Sequence, residues 1–270
     1  MKKHLSTIIL IAVLVVGLAI LLYPTISDYW NSLHQSKAIA SYVEEVSNMD
    51  EDQYQQMLDQ AIRFNDQLNK ESYALTDEQK AEYEQILNPG NLGIMAYVEV
   101  PSLGIALPIY HGTEESVLQR AVGHMEWTSL PVGGKSTHCV ISGHRGLPSA
   151  KLFTDLDKMK EQDIFIIRVL DEILTYQVDQ ILIVEPHDVQ ALRITEGMDY
   201  CTMVTCTPYG VNSHRLLIRG HRIENLEDTP TTHIAADAMQ IDPLIMAPII
   251  ATPILLVLLI LLFTTTKKKR

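Results

Sequence analysis

Two apolar runs bracket this chain and confine whatever else folds to the segment between them. Lys2 and Lys3 precede a run from about Thr7 to Leu22, and Lys267-Lys268-Lys269-Arg270 follow another from about Leu244 to Phe263. The second run is about 20 residues long, the length a helix needs to cross a hydrocarbon core. The first is shorter and close to the apolar part of a signal peptide, but Tyr23-Pro24-Thr25 offers no small-x-small cleavage site, so it reads as an uncleaved anchor. Positive flanks at both termini predict that both ends lie in the cytoplasm and that the intervening segment lies outside the cell.

That segment carries all the acidity, since all 33 Asp and Glu fall between Asp28 and Asp242 and the formal net charge is −12. Such a balance leaves no basic stripe to neutralise phosphates, which excludes nucleic acid as a partner. Membrane lipid is the surface expected to meet the chain, through its apolar ends, and the acidic charge keeps the middle dispersed.

From Ser27 to about Asn88 the pattern is helical and polar, without a single Gly. Tyr42, Val43, Val46, Met57, Ala61, Ile62, Phe64 and Leu68 recur at three-to-four spacing. Two or three helices joined near Asn48-Met49-Asp50 and Thr76-Asp77-Glu78 are expected, with Thr76 or Asp77 capping the last. From Gly93 the period changes to short apolar runs: 94–100, 105–110, 137–141, 164–169, 174–178, 181–184, 203–205 and 216–218 read as strands, with short helices at Glu114 to Arg120 and Ser149 to Lys160. Many short strands with few helices predict a mainly β fold, closed into a barrel that leaves no exposed edge. The resulting organisation is a cytoplasmic tip and anchor at 1–26, an extracellular helical segment at 27–92, a catalytic β-barrel at 93–225, a linker at 226–243, a second membrane helix at 244–263 and a basic tail at 264–270.

Chemistry concentrates at strand ends. Thr202-Met203-Val204-Thr205-Cys206 is an apolar run that stops at the Pro208/Gly210 turn, so the Cys206 thiol is expected at a strand end, and Arg215 stands early in the next run. A thiol of ordinary pKa, about 8.5, is only a few per cent ionised near neutrality, and a neighbouring cation raises the reactive fraction. His144 likewise follows the run Val140-Ile141-Ser142 and precedes Gly146-Leu147-Pro148. A Cys/His site with an Arg beside it is therefore expected. His-Arg occurs three times, at 144, 214 and 221. Adjacent strand residues point to opposite faces, so His214 and Arg215 cannot both serve the site, and composition alone leaves the base open between His144 and His214.

Cys139 and Cys201 each precede a proposed site residue by five positions. They read as two buried free thiols, although their sulfurs could approach if the strands were parallel neighbours in register. Cys201 and Cys206, with four residues between them, stand at the upper limit of zinc-pair spacing, but no matching second pair exists, so no metal and no cofactor is expected.

These motifs resemble the sortases, the cysteine transpeptidases of Gram-positive cell surfaces, and most closely the class C, pilin-polymerising branch. Thr202-Met203-Val204-Thr205-Cys206 matches the family signature Thr-Leu-x-Thr-Cys with Met for Leu, a swap that conserves volume. The likeness extends through Thr207 to Leu217, Ser142 to Phe153 and Leu107 to Thr113. It implies an eight-stranded barrel and assigns Cys206 as nucleophile, His144 as general acid/base and Arg215 to the oxyanion and substrate positioning. It further implies cleavage of a Leu-Pro-x-Thr-Gly-like sorting signal between Thr and Gly, with the acyl group passed to a lysine amine of a pilin subunit. Attachment of surface proteins to cell-wall peptide and simple hydrolysis are the neighbouring readings. Class C members often carry a lid with an Asp-Pro-aromatic motif. No such triplet occurs here, the only Asp-Pro being Asp242-Pro243, and a more accessible thiol is predicted.

Overall fold

The computed structural model describes residues 2–68 and 72–225; the expected linker, second membrane helix and basic tail, 226–270, lie outside the described residues. The helices are α1 (Lys2–Ser47), α2 (Glu51–Gln67), α3 (Asp77–Tyr83) and α4 (Glu115–Leu118). The strands are β1 (Ile94–Val100), β2 (Ile105–His111), β3 (Val122–His124), β4 (Thr137–Ser142), β5 (Ile164–Val169), β6 (Glu172–Val184), β7 (Asp199–Thr207) and β8 (His214–Arg222).

Helix α1 runs without a break through position 26, where the sequence placed the end of the anchor. Its first part is long and apolar enough to cross a membrane, and Val13, Leu14, Ile20 and Leu21 face outward from it. Its later turns dock on the barrel. Ile39 and Tyr42 pack on Ile94 and Tyr97, and the buried Tyr42 hydroxyl donates to the Met95 carbonyl at 3.0 Å while accepting from Leu170 N at 2.6 Å. Asp50 caps α2 by accepting from Gln53 N, and Thr76 and Gln79 form a reciprocal capping box on α3. Ala61 and Phe64 of α2, Leu68 at its C-terminal cap and Tyr83 of α3 then join the buried core.

The eight strands close in the order β1-β2-β3-β4-β7-β8-β6-β5. Pairs β2/β3 and β4/β7 are parallel and the others antiparallel. Side chains alternate across the wall, so Cys139, Ile141, Cys201, Met203, Leu216 and Ile218 fill the interior. Val140, Val204 and Leu217 face outward, covered by Leu192.

Three elements depart from the sequence reading. The runs at 174–178 and 181–184 are one strand, β6, with its register shifted between Val178 and Gln180; the extra residue bends the strand without ending it. The three-residue β3 carries too little pattern to be seen, having a central Gly. The helix expected from Ser149 to Lys160 is absent, replaced by turns and a single 3-10 turn at Leu156–Lys158. There Leu152 takes a positive φ of 40°, which breaks any helix and drives Phe153 into the core.

Candidate active site

Strand β7 delivers Cys206 to the rim of the barrel. Pro208, which has no N–H to donate, ends the strand, and Gly210 and Asn212 take positive φ to reverse the chain into β8. The antiparallel register then sets Cys206 directly opposite Arg215. Side chains opposite one another on the same face have Cβ atoms roughly 5 Å apart.

His144 arrives from β4. The parallel register runs from Thr137↔Asp199 to Ser142↔Val204 and, continued two residues, sets His144 beside Cys206. Two hydrogen bonds hold the chain there: Gly143 N donates to Val204 O at 3.0 Å, and Thr205 Oγ1 donates to Gly143 O at 2.8 Å. Position 143 must be Gly, because a Cβ would stand 2.7 Å from the buried Phe153 ring. Phe153 N in turn donates to His144 O at 3.2 Å.

Around this centre, Arg145 braces the loop to the end of β7. Its side chain is largely sealed, with Nη1 donating to Thr207 Oγ1 at 3.3 Å, Nη2 paired with Asp157, and its guanidinium 5.8 Å above the Tyr209 ring. The loop is also gripped from α1: Asn31 Nδ2 donates to Ser149 O at 2.7 Å and Lys151 N donates to Asp28 Oδ1 at 2.7 Å. The His144 ring is half-buried, with Nε2 withdrawn from solvent and 3.5 Å from Glu115 Oε2 of α4. Arg215 is half-exposed, and its Nη1 donates to the carbonyls of Asn212 and His214 at 3.2 and 3.1 Å.

Four other histidines have partners elsewhere in the fold. His111, His124 and His138 each engage both ring nitrogens within the fold. His214, the rival candidate, has Ser213 Oγ 2.8 Å from Nδ1 and Glu185 3.3 Å from Nε2. The structure thus brings together Cys206, Arg215 and the His144 loop. Sequence reasoning did not single out Arg145 or Glu115. Arg145 could have been suspected from its place beside His144, whereas Glu115 lies 29 positions upstream with no local signal.

Cys206 is half-buried, and on the same outer face Val140, Val204 and Leu217 are buried beneath Leu192. Cys139 and Cys201 are direct register partners inside the barrel and are both free thiols. Burial, reinforced by Cys139 alongside, pushes the Cys201 thiol well above the usual range. Tyr73, in the α2–α3 connection, packs against Trp127 and accepts from Arg193 Nε at 2.8 Å. Arg193 O accepts from His138 near the start of β4, so this contact lies about 20 Å of strand away from the level of the thiol.

Comparisons with known proteins show the family. A model of the sortase domain matches residues 98–223. Sortase C1 of Streptococcus agalactiae is 48% identical, over 70% of this chain and 100% of that one, with a TM-score of 0.68. The chain belongs to the sortase family. Sortase C of Streptococcus pneumoniae is 46% identical over 70% of this chain and 97% of that one, with a TM-score of 0.65. Among curated relatives, sortase A of Streptococcus agalactiae is 28% identical over 52% of this chain, and sortase D of Bacillus subtilis is 25% identical over 47%. The chain spans about three fifths of the length of those two, 59% and 62%. Sortases are cysteine transpeptidases, and the structural neighbours here are class C members.

Proposed function

We propose that this sortase is a membrane-anchored class C enzyme that cleaves a Leu-Pro-x-Thr-Gly-like sorting signal between Thr and Gly and transfers the acyl group to a lysine amine of a pilin subunit. The observation that carries the reading is the convergence on one barrel rim of Cys206, its register partner Arg215, and His144 on a loop pinned to β7. The likeness to Streptococcus pneumoniae sortase C, whose structure was described in terms of catalysis and pilin substrate specificity, supports pilin as the substrate class. The apolar first part of α1 supports the anchor, and the positive charges of Lys2, Lys3 and Lys267-Lys268-Lys269-Arg270 at the two ends of the sequence support termini inside the cell and a barrel outside it.

In this mechanism the Cys206 thiolate attacks the Thr carbonyl carbon, and the resulting oxyanion is met by Arg215 and nearby backbone N–H groups. The two carbonyl oxygens of Asn212 and His214 engage Nη1 alone, which leaves the Nε and Nη2 donors of Arg215 to meet the oxyanion. His144 gives its proton to the departing Gly amine as the C–N bond breaks, leaving a thioester on Cys206. An incoming lysine amine then attacks the thioester, His144 takes up its proton, and the thiolate is released.

The test is intact mass of the full chain in detergent after incubation with a Leu-Pro-x-Thr-Gly peptide. An adduct on Cys206 that is discharged onto an added amine is the expected result. An adduct released only as free acid identifies a hydrolase, and the absence of any adduct in the folded protein overturns the reading.

A further inference from the structure

The reacting centre contains a carboxylate that the mechanism above does not use. His144 Nε2 is shut off from solvent and has no hydrogen bond of good geometry, yet Glu115 Oε2 stands 3.5 Å from it. Glu115 opens α4, and its other oxygen, Oε1, accepts from Gln119 Nε2 one turn on. That amide, and then the His144 ring, hold the Glu115 carboxyl below the usual carboxylate range, so the group is an anion at neutral pH. Residue 115 itself is exposed, whereas the helix behind it is anchored by the buried Val117.

We infer that Glu115 is the positioning residue for His144, accepting from Nε2–H and thereby reserving Nδ1 for proton transfer. The inference rests on the sortase reading for its kinetic consequences but on geometry alone for the tautomer. A neutral imidazole carries one N–H, and the partner of one nitrogen decides which. With Nε2–H directed at Glu115, the imidazolium that precedes C–N cleavage gives up the Nδ1 proton to the leaving amine and keeps the other. The neutral ring left behind is already the tautomer whose Nδ1 accepts the proton of the incoming lysine amine. Each half-reaction moves one proton through Nδ1, and Glu115 takes part in neither transfer.

No other acidic side chain is paired with this ring among the described residues. Asp157, in the same loop region, is committed to Arg145, and Asp28 accepts from Lys151 N. A carboxylate therefore reaches the catalytic loop from a separate element, α4, which is a different service from the bracing supplied by α1 and Arg145.

The experiment uses the full chain in lipid nanodiscs, labelled with 15N-histidine, with the His144 signals assigned by their loss in His144→Gln. At a pH where the ring is neutral, the wild type is expected in the Nε2–H tautomer, Glu115→Ala is expected to shift toward a mixture, and Glu115→Gln, which keeps an acceptor oxygen, to retain it. With a Leu-Pro-x-Thr-Gly peptide and an amine, Glu115→Ala should lower kcat about ten-fold with KM within about two-fold, and Glu115→Gln should recover part of the loss. Thermal midpoints should be unchanged, because an exposed carboxylate contributes little to stability. An unchanged tautomer in Glu115→Ala overturns the inference, as does an unchanged kcat in an active enzyme. If the wild type forms no acyl-enzyme, the sortase reading fails, while the tautomer measurement still decides the role of Glu115.

Discussion

Strands β4 and β7 carry a cysteine and histidine constellation at each end, with opposite fates. At the upstream end, Cys139 and Cys201 face each other inside the barrel, and His138 on the outer face donates from Nδ1 to Arg193 O and accepts at Nε2 from Thr202 Oγ1. Five to six residues on, the end of β7 offers Cys206 half-buried and the loop leaving β4 offers His144 with a nitrogen lacking a well-formed hydrogen bond. The residue types are the same, so type does not make the chemistry. What differs is spare capacity: the upstream groups are consumed by the fold, and the downstream ones are held in place by their backbone and neighbours, leaving the side chains free.

The sharpest way to break this contrast is Cys206→Ala. It should abolish the covalent peptide adduct completely, while Cys139→Ala and Cys201→Ala retain it; an adduct on the Cys206→Ala protein by intact mass would erase the distinction. Next in size, Arg215→Ala should slow acyl-enzyme formation roughly 10²- to 10³-fold, the cost of losing an oxyanion donor. Arg215→Lys should recover only part of that loss, since a point charge cannot reproduce the planar fork.

The upstream end can be tested through stability. Burial drives the His138 pKa down from 6.5 to about 4, so the folded state stays neutral where the unfolded state binds a proton. That penalty is absent above pH 6.5 and grows as pH falls toward 4, reaching about 3 kcal/mol. Chemical denaturation should show the wild type losing this stability between pH 7 and 4, and His138→Gln losing less. An equal slope in both would mean that the ring charges freely in the fold. The smallest effect is that of Cys201→Ala, about 1 kcal/mol for a small buried side chain. Alongside it, only Cys206 should alkylate in the native protein, and all three thiols in the denatured, unreduced one.

The downstream end was legible in the sequence because its signals are local. An apolar run stopped by Pro208 and Gly210 places a side chain at a strand end, and the same punctuation after His144 places the second. Choosing His144 over His214 needed the family pattern; in the structure the His214 ring lies between Ser213 and Glu185. The pairing of Cys139 with Cys201 was legible only as a condition, because parallel adjacency of β4 and β7 joins segments about 60 positions apart. Non-local contacts account for the other misses. The region from Ser149 to Lys160 has helix-forming residues, but Phe153 must pack beneath Gly143, and Asp28 and Asn31 draw the backbone at 149–151 toward α1. Nothing in the spacing of α4 announces that Glu115 meets a ring on another loop.

That grip of α1 on the catalytic loop also sets an altitude. Asn31 lies seven residues beyond Pro24 in one unbroken helix, a climb of about 10 Å at 1.5 Å per residue. In the membrane-anchored reading proposed above, the apolar turns of α1 would sit in the bilayer and the loop bearing His144 would be held at a fixed height close to the lipid headgroups. Adding or removing a residue between Tyr23 and Asp28 would change that height by only about 1.5 Å but swing the barrel by about 100° around the anchor, whereas inserting a full turn would raise it with its heading nearly preserved. On that reading the anchor would be a mast as well as a tether, deciding which way the thiol looks across the membrane surface.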